Sequence, residues 1–237
     1  MPPSPAALAS EAFAAGFGAV ARLRHARAVH PHGPAWPATA TVGPVDGVPA
    51  LARRRDVEAT VRLSRSFDVA DHLPDVLGVA VRLHDLHGPE RHQDVLVVSC
   101  VPGPVANPIP TPSPDWTWPT YSSLLPLRIG ERLGFLGARS AVSDAAKEGL
   151  AVEGARRAAA QDGLAFDLTW APVGGTWRPL GSVRVDGPEL SAERAEALRF
   201  DPVLHSGPGL QLAGRALRDL RRRAYRSSRA ARPLARP

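Results

Sequence analysis

Three stretches in the first half of the chain read as strands with no helix-forming segment between them. That succession restricts the architecture more than any other feature. In Val57-Glu58-Ala59-Thr60-Val61-Arg62-Leu63-Ser64, the apolar Val57, Ala59, Val61 and Leu63 fall on one side, and Arg62 and Ser64 on the other. Val76 to Leu86 and Gln93 to Val101 read as the two arms of a hairpin around His87-Gly88-Pro89. Strands that follow one another without crossover helices pair antiparallel, so the pattern predicts an antiparallel sheet or barrel rather than a doubly wound fold.

The remaining elements fit around that sheet. Ala7 to about Ala28 has Leu8, Phe13, Phe17, Val20 and Leu23 at helical spacing. Thr39 to Val45 reads as a short β-branched strand. Residues 102–119 hold many prolines and two tryptophans without a period, which predicts a long loop whose Trp116 and Trp118 pack or line an entrance. Leu124 to Leu136 and Ala141 to Gln161 read as helices interrupted by glycines. A second hairpin runs through Leu164–Trp170, a Gly174-Gly175 turn, and Trp177–Val185. Ser191 caps a short helix to Leu198, with Arg194 and Glu196 outward. A loop with Gly207-Pro208-Gly209 follows, and a final helix runs from about Leu212 until Pro233 stops it. There are no internal repeats. The expected organisation is a single domain over residues 1–237, with disordered tails at 1–6 and 233–237.

Composition narrows the function classes. The net charge is +6, but Lys147 is the only lysine, and the arginines are spread along the chain apart from Arg53–Arg55 and the last helix. A nucleic-acid surface would cluster them and interleave aromatics, so no specific nucleic-acid partner is expected. Cys100 is alone, which excludes an internal disulfide and suits a reducing cytoplasm. The alanine-rich residues 6–21 lack a basic leader and are too weakly apolar for a membrane span, so a soluble cytoplasmic protein is expected.

The last helix carries the most specific chemistry. Read as a helix, Arg221, Tyr225, Arg232 and either Ser228 or Arg229 fall on nearly one face. A guanidinium one turn from a buried phenol favours the phenolate, and a phenolate can ligate haem iron. The ordinary reading of such a helix is a solvated arginine face with one core tyrosine.

Several separated pieces, in order, resemble the haem-binding pieces of the catalase superfamily. Arg27-Ala28-Val29-His30 followed by Pro31-His32-Gly33 resembles the segment of the distal histidine. Arg62-Leu63-Ser64 resembles the family's Arg-Phe-Ser strand. Asp75-Val76-Leu77-Gly78-Val79-Ala80-Val81-Arg82 and Gln93-Asp94-Val95-Leu96 resemble the two strands that follow it. Phe200-Asp201-Pro202, Pro208-Gly209-Leu210 and Arg221…Tyr225…Arg232 resemble the loop and proximal helix. The chain is much shorter than a full catalase, and the resemblance covers roughly half of it.

The resemblance implies an α+β fold, with an antiparallel β-barrel of the catalase type, flanking helices and a C-terminal helix. It implies haem b as cofactor, with Tyr225 as the iron ligand and Arg221 holding it as phenolate. Arg27, Arg62 and Arg232 would meet the two propionates, as guanidinium forks suit carboxylates. His30 would be the acid/base that moves a peroxide proton, helped by Ser64. The substrate would be hydrogen peroxide or an organic hydroperoxide, and oligomerisation is left open. Val98 stands where the family has its distal asparagine, followed by Ser99, which speaks against fast peroxide disproportionation and for a peroxidase. The same substitution leaves a second class in play: a barrel of this fold without haem, serving as a binding or interaction module. A third, minor option is a basic surface for nucleic acid or acidic lipid on the last helix.

Taken singly, His30 has the ordinary reading of a turn histidine, and Arg27 and Arg62 that of surface charges. His84, Asp85, His87, His92 and Asp94 crowd the first hairpin and invite a metal reading, but solvated hairpin residues are the expectation. The sequence has no Gly-x-Ser-x-Gly elbow, no phosphate-cradling glycine loop and no cysteine pair for zinc.

Overall fold

A computed structural model of the protein describes residues 33–66, 73–101, 103, 109–117, 119–141, 151–161 and 163–213. In chain order these form β1 (Ala35–Val42), β2 (Arg55–Arg65), β3 (Leu77–Leu83), β4 (Gln93–Cys100), β5 (Thr120–Ser122), β6 (Leu127–Ile129), β7 (Arg132–Ser140), α1 (Ala151–Ala160), β8 (Ala165–Pro172), β9 (Arg178–Val185), α2 (Ala192–Ala197) and β10 (Leu210–Leu212). Every strand pairing is antiparallel. The order β7-β5-β4-β3-β2-β1-β9-β8 returns to β7 through a β7–β8 ladder, so eight strands close into a barrel. Strand β7 manages this by sharing one edge: its C-terminal half pairs with β5 and its N-terminal half with β6, which in turn carries β10.

Alternation decides which face of each strand turns inward. Val57, Ala59, Val61 and Leu63 of β2 are all buried, as are Val79, Val81 and Leu83 of β3 and Val95 and Val97 of β4. They join Phe166, Leu168, Val183 and Val185 from the second hairpin in one apolar core. Small barrels fill with side chains in this way, and each Val, Leu or Phe among them contributes roughly 1.5–3 kcal/mol by leaving water. Helix α1 packs Ala155 and Ala158 onto this core, with Glu153, Arg156 and Arg157 outward. Both predicted hairpins form, with Gly88 and Gly174 at positive φ in their turns. Ser191 caps α2, accepting a hydrogen bond from the Arg194 amide at 3.4 Å.

The expectation of an antiparallel barrel with flanking helices therefore holds, although the described chain is mostly β. Leu124 to Leu136 is not a helix. Leu127 and Ile129 are buried around an exposed Arg128, the period of a strand, and Gly130 (φ +58°) turns the chain from β6 into β7. Strand β1 starts four residues earlier than Thr39, passing through Pro37. The Pro37 carbonyl faces β9 and accepts from the Asp186 amide, just beyond the Ala38–Val185 pair where the β1–β9 ladder ends. The imide nitrogen faces the same flank, so the missing donor costs one bond at the end of that ladder and leaves the β1–β2 ladder intact. Of the predicted helix from Ala141 to Gln161, α1 is described, and residues 142–150 lie outside the described residues. The helices predicted over 7–28 and after Leu212 also lie outside them, and Leu212 itself belongs to β10. No described helix is long and apolar enough to cross a membrane.

Candidate functional site

The outer face of β2, β3 and β4 is where the polar residues of these strands converge. Register sets three cross-strand rows: Thr60–Arg82–Asp94, Arg62–Ala80–Leu96 and Ser64–Gly78–Val98. Arg62 and Ser64 thus share a face, as alternation predicts. Gly78 puts no side chain between Ser64 and Val98. The Ser64 hydroxyl donates a long 3.4 Å hydrogen bond to the Gly78 carbonyl.

The segment after α2 lies across these rows. Arg62 Nη1 donates to the Leu198 carbonyl at 3.3 Å, and its guanidinium sits 4.8 Å from the centre of the Phe200 ring. Arg82 approaches the same ring at 5.2 Å and also donates to the Arg199 carbonyl. Phe200 therefore carries two cations, an attraction strengthened by its burial.

Asp94 is the anchor. It is fully buried, accepts from Arg82 Nε and Nη2 at 2.8 Å each, and receives the Asp201 amide at 2.6 Å. His205 Nδ1 lies 2.9 Å from the carboxylate and 2.7 Å from Arg82 Nη2. Burial pushes the Asp94 carboxyl up, but the hydrogen bonds from Arg82, His205 and the Asp201 amide outweigh it and hold the group below its ordinary range.

At the end of the face a cleft of about 310 Å³ opens between β2, α1 and α2. Gly33, Ser64, Trp116, Arg156, Glu189 and Glu196 are among its lining residues. Gly33 lies so close to β2 that a Cβ there would fall 1.8 Å from the Leu63 carbonyl oxygen. Arg156 is clamped by Glu189 at 2.8 and 3.0 Å and by Glu153 at 2.6 Å, which raises its pKa further.

Of the residues singled out by sequence, Arg62 and Ser64 are brought together on this face. Ser64 opens to the cleft, while Arg62 is turned onto Phe200 and the Leu198 carbonyl. Arg27, His30, Arg221, Tyr225 and Arg232 lie outside the described residues. The expectation of solvated hairpin residues is corrected for Asp94, which is wholly buried, and for His84, which reaches the Thr60 hydroxyl at 2.8 Å. His87 meets the Gln93 side-chain carbonyl at 2.9 Å. Among the described residues, no group of three or more His, Cys, Asp or Glu is placed to hold a metal ion. Sequence reasoning gave no role to His205, which has no local pattern to mark it. Trp116 is 3 % exposed and both packs and lines the cleft.

Of the residues that the resemblance assigns to haem, the described ones on this face are Arg62 and Ser64, beside the methyls of Val98 and the Arg82–Asp94 pair. A guanidinium and a hydroxyl beside methyls would suit a flat apolar ring with carboxylates at its edge, but here Arg62 is turned onto Phe200 and the Leu198 carbonyl. Compared with known families and with curated proteins, the chain matches no family model and no curated sequence. The class defined by fold and site is an antiparallel, eight-stranded β-barrel with a polar outer face covered by the segment after α2.

Proposed function

We propose that the protein is a catalase-like haem protein acting as a peroxidase on hydrogen peroxide or an organic hydroperoxide. One observation carries this reading. Four pieces that resemble the catalase superfamily meet on one face of an antiparallel barrel: residues 62–64, 75–82 and 93–96 on or beside the consecutive strands β2, β3 and β4, and residues 200–202 much later in the chain. Their contacts are the Ser64–Gly78–Val98 row, the Arg82–Asp94 pair, the Asp201–Asp94 bond and the Arg62–Phe200 stack.

In this reading His30 would take and return the peroxide proton, helped by Ser64. Arg27, Arg62 and Arg232 would meet the propionates, and Arg221 would keep Tyr225 as the phenolate that holds the iron. Haem, when bound, supplies the redox-active iron for peroxide chemistry. Val98 offers a peroxide no hydrogen bond, which favours peroxidase over disproportionation.

The test is an absorption spectrum of the protein expressed with a haem precursor. A strong Soret band that is lost in Tyr225→Phe is expected, and a colourless protein overturns the reading. A second reading is favoured by the seating of Arg62 on Phe200 and the Leu198 carbonyl rather than in the cleft. In it the barrel works without haem, as a binding or interaction module.

A further inference from the structure

Beside the candidate site the barrel carries a cluster of imidazoles that the proposed reaction does not use. His84 and His92 stand one step beyond the Leu83–Gln93 pair that ends the β3–β4 ladder, and their rings meet edge-to-face at 5.2 Å. His205, from the segment after α2, meets His92 edge-to-face at 5.5 Å. Three contacts fasten that segment to Asp94. The Asp201 amide and His205 Nδ1 reach its carboxylate, and the Asp94 amide donates to the His205 carbonyl at 2.9 Å. The charged groups around the cluster are mixed. Glu58, Asp85 and Arg82 act on His84, Asp85 lies 3.4 Å from His92, and Asp94 and Arg82 flank His205.

We propose that these three histidines form a pH-dependent pin, which seats residues 199–205 on the barrel while His84 is neutral and releases them when it is protonated. Neutral rings attract edge-to-face, whereas a proton on His84 is opposed by His92 and by Arg82, the two groups that hold the segment through His205 and through the Arg199 carbonyl and Phe200. Burial, then the neighbouring His92, lowers the His84 pKa, and Arg82 adds to this against Glu58 and Asp85. The seated state therefore prefers neutral His84. Its contribution is complete above the ordinary imidazole value of about 6.5 and is lost as pH falls through the lowered value. Release has a consequence for the cleft: α2, which directly precedes the segment, supplies Ala192, Ala195 and Glu196 to the cleft wall. Acid thus loosens that wall and frees Arg62 from Phe200. None of this depends on haem.

The Asp94 amide reports on the pin, because its acceptor is the His205 carbonyl. Hydrogen exchange by NMR at about pH 7.5 and about pH 5.5, corrected for intrinsic rates, is the test. The expected result is a loss of Asp94 protection of at least about tenfold at the lower pH, with the β2–β3 ladder amides unchanged. Replacing both rings, His84→Gln with His92→Gln, should flatten that dependence. Unchanged protection of Asp94 in the unmodified protein, a fall matched by the β2–β3 ladder, or an undiminished response in the double variant overturns the proposal. If the double variant fails to fold, the unmodified protein alone decides.

Discussion

Arg82 and Asp94, directly opposite each other on β3 and β4, are joined by two parallel hydrogen bonds of 2.8 Å on the outer face of the barrel. The carboxylate is fully buried and the guanidinium nearly so, at 0 % and 11 % side-chain exposure. Asp94→Ala strands the guanidinium and removes the acceptor of the Asp201 amide. Breaking a buried pair in this way costs about 3–5 kcal/mol. Urea unfolding measures it, with the midpoint expected to drop sharply.

The same carboxylate sets an acid limb. Its pKa is lower when folded, so Asp94 contributes stability above the ordinary carboxylate value of about 3.9 and loses it as pH falls through the lowered value. Unfolding midpoints followed from neutral to strongly acid pH should fall more steeply in the unmodified protein than in Asp94→Ala.

Gly33→Ala should be poorly tolerated. A methyl there meets the Leu63 carbonyl, which is backbone and cannot swing away. Pro34 also accepts the Leu63 amide at 3.0 Å, so the segment has little room to shift. A loss of about 1–3 kcal/mol is expected, read from thermal melting.

Ser191→Ala removes the cap of α2. The bond is long and exposed, so the cost should lie at the low end, about 0.5–1 kcal/mol, with recovery in Ser191→Asp. Thermal melts of the two variants check it.

Cys100 should be inert. Burial pushes its thiol up to about 12, and its Sγ donates to the Thr120 carbonyl at 3.0 Å. A maleimide at about pH 8 should leave the native protein unlabelled and react fully once it is denatured. Rapid labelling of the native fold would contradict this placement.

Strand alternation made β2 and the shared face of Arg62 and Ser64 legible, because burial of Val57, Ala59, Val61 and Leu63 is a local periodic signal. The turn glycines did the same for β8 and β9. Strands β6 and β7 were misread because the glycines that interrupt the pattern answer to distant partners. An added Cβ at Gly134 would meet the Ala171 carbonyl oxygen at 2.3 Å, and one at Gly137 the Trp177 ring at 2.6 Å. Neither neighbour is visible locally. The same holds for the site: nothing near Arg62 announces Phe200, and nothing near Asp94 announces His205.

The place of β1 between β2 and β9 has a consequence for biosynthesis. One flank of β1 is satisfied at once by the hairpin to residue 65, but the other waits for residues 181–185 to leave the ribosome. Throughout that interval a nascent chain presents an unpaired row of amides and carbonyls, the kind of template that recruits other strands. Translation pauses before β9 should therefore promote aggregation, and chaperones that shield strand flanks should act on this chain during synthesis rather than after it.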